Sequence, residues 1–122
     1  MSTVLVVDDE WAIAEVLGDI LTDEGHRVLM ASNGQQALAR INDALPDVII
    51  LDFMMPVMDG PATLRALAEN PATAGIPVLL ISSLPLATIR DRCSGYSGYV
   101  QKPFLVHEVI RKVAELLDKQ KK

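Results

Sequence analysis

The charged and hydroxyl side chains best suited to chemistry in this chain stand directly after short apolar runs. Val4–Val7 leads into Asp8-Asp9-Glu10, Val48–Leu51 into Asp52, Val78–Ile81 into Ser82-Ser83, and Tyr99–Val100 into Gln101-Lys102-Pro103. Were those runs neighbouring strands, carboxylates, a hydroxyl and an ammonium would converge on one edge of a sheet. Like charges about 4 Å apart repel by about 4 kcal/mol at an effective dielectric constant of about 20. Carboxylates gathered in that way must take up protons or hold a cation. A hard divalent ion with oxygen ligands answers the need, and Mg2+ answers it best, because it binds through few carboxylates and leaves room for phosphate oxygens. Lys102 adds a compact positive charge able to meet an anion. Acids for a metal, one acid to spare, a lysine and a hydroxyl make up the equipment for phosphoryl transfer to an aspartate. Each residue alone has an ordinary explanation, since an aspartate after a strand is commonly a helix N-cap and Ser82 could be a loop hydroxyl. The coincidence at separate strand ends carries the reading.

Such residues need a framework that sets strand ends side by side. Five runs read as strands: Val4–Val7, Arg27–Ala31, Val48–Leu51, Val78–Ile81 and Tyr99–Val100. The first, third and fourth are near-continuous Val, Ile and Leu, as expected of strands buried on both faces of a parallel sheet. Helical spacing fills the gaps. Ile13, Val16, Leu17, Ile20 and Leu21 share a face, with Gly25 as the C′ stop. Ala37, Leu38 and Ile41 follow Asn33-Gly34, and Pro46 ends that segment. A third helix opens with Asp59 as N-cap and Pro61 in its first turn, turning Leu64, Leu67 and Ala68 inward. A short fourth spans about Leu86–Cys93. The last carries Val106, Val109, Ile110, Val113, Leu116 and Leu117, with Lys119, Lys121 and Lys122 at the favourable end of its dipole. Strict alternation of strand and helix predicts a parallel α/β sheet with helices on both faces, and right-handed crossovers narrow this to the doubly wound family. Ligands of such sheets bind beyond the carboxyl ends of the strands, where the strand order reverses.

The 122 residues are expected to form one domain, 1–122, with a substantial core. Half the residues are apolar and 22% charged, which excludes a disordered or collagen-like chain. The net charge of −5 lacks the basic footprint of a nucleic-acid binder. Cys93 is the sole cysteine, so neither an intramolecular disulfide nor a cysteine-based zinc site can form, and a reducing compartment is implied. No apolar run approaches the ~18–20 residues needed to span a bilayer, and Met1-Ser2-Thr3 does not open a signal peptide. The expectation is a soluble, cytoplasmic domain with no direct nucleic-acid contact and no membrane insertion. Lys119-Gln120-Lys121-Lys122 reads as a solvated tail.

The acidic pair Asp8-Asp9, the run Asp52-Phe53-Met54-Met55-Pro56-Val57-Met58-Asp59-Gly60, and Ser82, Tyr99 and Lys102-Pro103-Phe104 together resemble the receiver domain of two-component response regulators, over essentially the whole chain. The resemblance implies the flavodoxin-like (βα)5 fold, a five-stranded parallel sheet of order 2-1-3-4-5. It implies that Asp52 takes a phosphoryl group from a sensor histidine kinase or phosphotransfer protein. Asp8, Asp9 and Asp52 would hold Mg2+, with the Met54 backbone carbonyl as a further ligand. Lys102 and Ser82 would contact phosphate oxygens, Tyr99 would act with Ser82 as the switch, and Lys102-Pro103 would be cis. The output would be a changed surface on helix four, strand five and helix five, read by a downstream effector protein or output domain, none being contained in this chain. The family is not enzymatic beyond its own phosphorylation and dephosphorylation.

Other residues carry weaker signals. Trp11 reads as a half-buried first-turn residue or as one bordering the crevice. Met54, Met55 and Met58 read as loop packing, His26 and His107 as surface residues, and Cys93 as a small helix-face residue. Met54 and Leu84 stand two residues beyond Asp52 and Ser82, where the family tunes access of hydrolytic water, and two apolar residues there imply slow loss of phosphate. Leu84–Gly95 is short for helix four with its flanks, and Tyr96-Ser97-Gly98 departs from the family's usual approach to strand five. Competing readings are a non-phosphorylated pseudo-receiver, a haloacid-dehalogenase-type phosphatase and a flavodoxin. The phosphatase needs a second aspartate two residues after the first, whereas Phe53-Met54 follows Asp52. The flavodoxin needs a phosphate-cradling loop after strand one, which is missing.

Overall fold

A computed structural model describes residues 2–120, the side chain of Gln120 excepted. Met1, Lys121 and Lys122, and with them the two lysines expected at the end of the last helix, lie outside the described residues. The elements are β1 (Thr3–Val7), α1 (Trp11–Asp23), β2 (Arg27–Ala31), α2 (Gly34–Asp43), β3 (Val48–Asp52), α3 (Gly60–Glu69), β4 (Val78–Ser82), α4 (Leu86–Arg92), β5 (Gly98–Gln101) and α5 (Val106–Gln120). All pairings are parallel and the strand order is β2-β1-β3-β4-β5. This is the flavodoxin-like doubly wound fold. No described helix is long and apolar enough to cross a membrane.

The continuous apolar runs form the three central strands, where side chains alternate between two cores. Val4, Val6, Ile50 and Ile81 meet Leu17 and Leu21 of α1 and Val109 and Val113 of α5. Leu5, Val7, Ile49, Leu51 and Leu80 meet Ala37 and Ile41 of α2, Leu64 and Leu67 of α3, and Ile89 of α4. The edge strand β2 is only partly covered, which is why Arg27–Ala31 admits an arginine.

Caps set the helix ends. The Asn33 side chain accepts from the Gln36 N–H at 2.9 Å, and the Asp59 side chain from the Ala62 N–H at 3.0 Å. Gly25, at φ 91°, closes α1, and the His26 N–H returns to the Leu21 carbonyl. α2 stops at Asp43, three residues before Pro46, with Ala44 as C-cap. α4 is short, as expected, and Cys93 caps it rather than lying on its face.

Two inward assignments fail. Val16 is 48% exposed, because the buried face of α1 is Ala14, Leu17, Gly18 and Leu21, a spacing that leaves Val16 on its shoulder. Ala68 is exposed, while Thr63 is buried on α3 with its hydroxyl bonded to the Asp59 carbonyl at 2.7 Å. In both helices small or polar residues occupy core positions, which a reading weighted toward large apolar side chains passes over.

Candidate functional site

Register decides which side chains meet. Val7 pairs with Leu51, so the next residues, Asp8 and Asp52, come level across β1 and β3. Asp52 pairs with Ile81 and Ser82 with Gln101, which carries the sequence of strand ends across to Lys102. The Lys102 N–H donates to the Ser82 carbonyl at 2.8 Å, and the Lys102-Pro103 bond is cis.

The result is a crevice of about 310 Å³ lined by Asp9, Glu10, Asp52, Met54, Ser82, Ser83 and Lys102. Carboxylate oxygens of Asp8, Glu10 and Asp52 all lie within 4.8 Å of one another. Asp8 and Asp52 are buried, at 4% and 5% exposure, while Asp9 and Glu10 are exposed. The Lys102 Nζ stands 2.9 Å from Glu10 Oε1, 3.5 Å from Asp52 Oδ2 and 3.6 Å from Asp8 Oδ2.

These contacts set the proton affinities. Burial and then the Asp8 charge push the Asp52 carboxyl from 3.8 up to about 7; Lys102 opposes this, hydrogen bonding with Asp8 reinforces it, and the Met54 backbone N–H works against it. Burial pulls the Lys102 ammonium down, but the Glu10 hydrogen bond and the Asp52 and Asp8 charges outweigh it and leave the group above its ordinary value. The upward shift at Asp52 is the direction expected of the first of the two outcomes open to such a cluster, uptake of a proton. An all-carboxylate donor set beside a phosphate-sized space also fits the second, a hard divalent cation.

Most of the expected residues converge here. Asp8, Asp52, Ser82 and Lys102 meet at the strand ends, and Asp9 and Met54 line the crevice. Ser82 Oγ accepts from the Leu84 N–H at 3.0 Å. The half-buried Tyr99 hydroxyl donates to the Ser82 carbonyl at 3.2 Å and to the Leu84 carbonyl, tying it to the loop after β4. Leu84 itself packs into the α2–α4 core, so of the two apolar residues expected to shield phosphate only Met54 faces the crevice.

Several readings need correction. Trp11 is 69% exposed rather than half-buried, since it opens α1 on the solvent side. Met54 is exposed at the crevice rather than loop packing, whereas Met55 packs into the core and the Met58 carbonyl accepts the Gly34 N–H at 3.0 Å. His26 is half-buried, with its Nδ1 buried, while His107 is exposed as expected. Glu10 was given no role by the sequence, yet it makes the shortest contact to Lys102. Its position beside Asp8-Asp9 was the available signal, but a partner 92 positions away was not legible.

A second cleft of about 540 Å³ adjoins the crevice and is almost wholly apolar, lined by Ala12, Ile13, Val16, Leu17, Pro103 and Phe104, with Ser83 and Lys102 on the shared rim. The larger cavity is thus not the chemical one.

A sequence profile described as the response regulator receiver domain matches residues 4–114. The chain is 40% identical over 120 residues to a protein of Mycobacterium tuberculosis named "Probable transcriptional regulatory protein TcrX", covering 94% of this chain and 49% of that protein. It spans about half the length of the curated relatives it matches. Among solved structures, the receiver domain of the Francisella response regulator 1452 is 33% identical with a TM-score of 0.88, covering 98% of this chain and 99% of that one. The chemotaxis response regulator CheY4 of Vibrio cholerae is 30% identical with a TM-score of 0.89, covering 95% and 98%.

Proposed function

This chain belongs to the response regulator receiver domain family, a family of signalling domains, and on that premise we propose that it accepts a phosphoryl group on Asp52 from the phosphohistidine of a sensor histidine kinase or phosphotransfer protein. An Asp52 carboxylate oxygen attacks phosphorus, the bond from phosphorus to the imidazole nitrogen breaks, and an acyl phosphate remains on Asp52. The work left to the protein is positioning and charge stabilisation. Asp8, Asp9 and Asp52, with the Met54 backbone carbonyl, are the groups that would hold Mg2+, which when bound neutralises the carboxylates and the phosphoryl charge. Lys102 and Ser82 meet the phosphoryl oxygens. The carrying observation is the Lys102 ammonium, 3.5 Å from Asp52 and 3.6 Å from Asp8, facing a crevice of about 310 Å³ that can admit a phosphoryl group.

An acyl phosphate adds nearly two negative charges and strong acceptor oxygens. Ser82 then gains a partner, the loop from Ser82 to Leu84 re-registers, and Tyr99, hydrogen-bonded to that loop, carries the change to the surface of α4, β5 and α5. Several kcal/mol of differential interaction move such an equilibrium from mostly off to mostly on, a sum within reach of a few charge-assisted hydrogen bonds. The reader of the switched surface is an effector protein or an output domain; TcrX is named a transcriptional regulator, but the net charge of −5 argues against direct nucleic-acid contact by this chain. A cytoplasmic, reducing compartment fits the single cysteine.

Incubation with Mg2+ and acetyl phosphate, followed by intact mass, tests the proposal. One phosphate added, and none in Asp52→Asn, is the expected result. No adduct would instead support a pseudo-receiver that acts by contact alone, and steady turnover of varied phosphate esters would support a phosphatase.

A further inference from the structure

Glu10 occupies the N-cap position of α1, yet its side chain makes no cap hydrogen bond. Its backbone N–H donates to Asp8 Oδ1 at 2.9 Å, which fixes the peptide against the acidic cluster. The carboxylate turns instead to Lys102, with Oε1 at 2.9 Å from Nζ. Asp8 and Asp52 lie 3.6 and 3.5 Å from the same nitrogen, beyond the ~2.7–2.9 Å of a charge-assisted hydrogen bond. The shortest directional bond of the ammonium therefore goes to the one carboxylate of the three that the proposed function assigns neither to Mg2+ nor to the phosphoryl group. The Glu10 side chain is 56% exposed, so the bond can open without leaving a buried charge unpaired. Phosphoryl oxygens reaching Asp52 must draw Lys102 away from it.

We propose that Glu10 is a positioning residue that latches Lys102 on the crevice rim, withholding the ammonium from incoming phosphoryl oxygens and so setting how readily Asp52 is phosphorylated. The proposal rests on Asp52 being the phosphoacceptor. The latch depends on reach as well as charge: a carboxylate one methylene shorter keeps the charge but falls short of Nζ.

Wild type, Glu10→Gln and Glu10→Asp are labelled with acetyl phosphate at saturating Mg2+, with rate constants from intact mass and Mg2+ affinities from isothermal titration calorimetry. Both variants are expected to be phosphorylated about two- to fivefold faster, the size of effect an exposed charge pair exerts, with the Mg2+ affinity of Glu10→Asp within about twofold of wild type. A Glu10→Asp rate at or below that of wild type overturns the latch, whatever Glu10→Gln does, because charge without reach would then be sufficient. Loss of Mg2+ affinity by about tenfold or more in both variants also overturns it, by making Glu10 a metal ligand. In either case wild type still takes up phosphate and Asp52 stands as acceptor; a wild type that takes up none overturns both proposals.

Discussion

At Asp52 the unfolded chain releases its proton near 3.8, whereas burial and the Asp8 charge make the folded protein hold it to about 7. Below about pH 4 both states are protonated and the group costs nothing. Between those values only the folded state keeps the proton, so stability falls as pH rises, and above about 7 the whole cost is in place. In chelator, urea melts should therefore show wild-type stability dropping by a few kcal/mol from about pH 4 to pH 7. Asp52→Asn should remove that slope and be the more stable protein at neutral pH. Mg2+ should raise the thermal midpoint of wild type more at about pH 8 than at about pH 5, where it competes with a proton. The acids and Lys102 were legible in the sequence because each stands within two residues of the end of an apolar run, so strand pairing brings them close to level. The Glu10–Lys102 bond, the Met54 N–H on Asp52 and the outward Trp11 were not, since they depend on side-chain reach and loop path.

The loop from β3 to α3 is where element geometry bears most on chemistry. A Cβ on Gly60 would lie 2.8 Å from Phe53 Cα and 2.9 Å from the Asp52 carbonyl oxygen, so the helix start touches the backbone of the acceptor strand. Gly60→Ala should cost roughly 1–3 kcal/mol in denaturation and, by displacing Asp52, slow acetyl phosphate labelling by about tenfold or more. Val57, 76% exposed, sits at φ 68° in a tight turn closed by the Met58 N–H and the Pro56 carbonyl at 2.7 Å. A β-branched residue there is strained, and Val57→Asn should raise stability by about 1 kcal/mol in thermal melts. The central strands were readable because burial on both faces demands unbroken Val, Ile and Leu. Helix faces were read less well: Gly18 lies against Val28 and Met30, and Thr63 satisfies its own hydroxyl, so neither needs a large apolar side chain to be buried.

For the molecule as a whole, parallel pairing and short crossovers leave one edge of the sheet as the place where all the strand-end side chains can meet. That is why the fold and the site were legible together. What sequence spacing did not settle was which face each loop residue takes: Met54 shields the crevice while Leu84 turns to the core. The phosphorylated form should still outlast seconds, and Met54→Asn should shorten its half-life by admitting water, as followed by loss of the mass adduct after donor removal. The account turns on crowded acids that tolerate one another only by sharing a proton or a cation. A carbon-13 NMR titration of the Asp52 side-chain carboxyl, with and without Mg2+, addresses that directly. The prediction is an apparent pKa of about 7 for the Asp8–Asp52 pair in metal-free protein, carried well down by Mg2+. A carboxyl already ionised at about pH 5 without metal, and unmoved when Mg2+ is added, would contradict it.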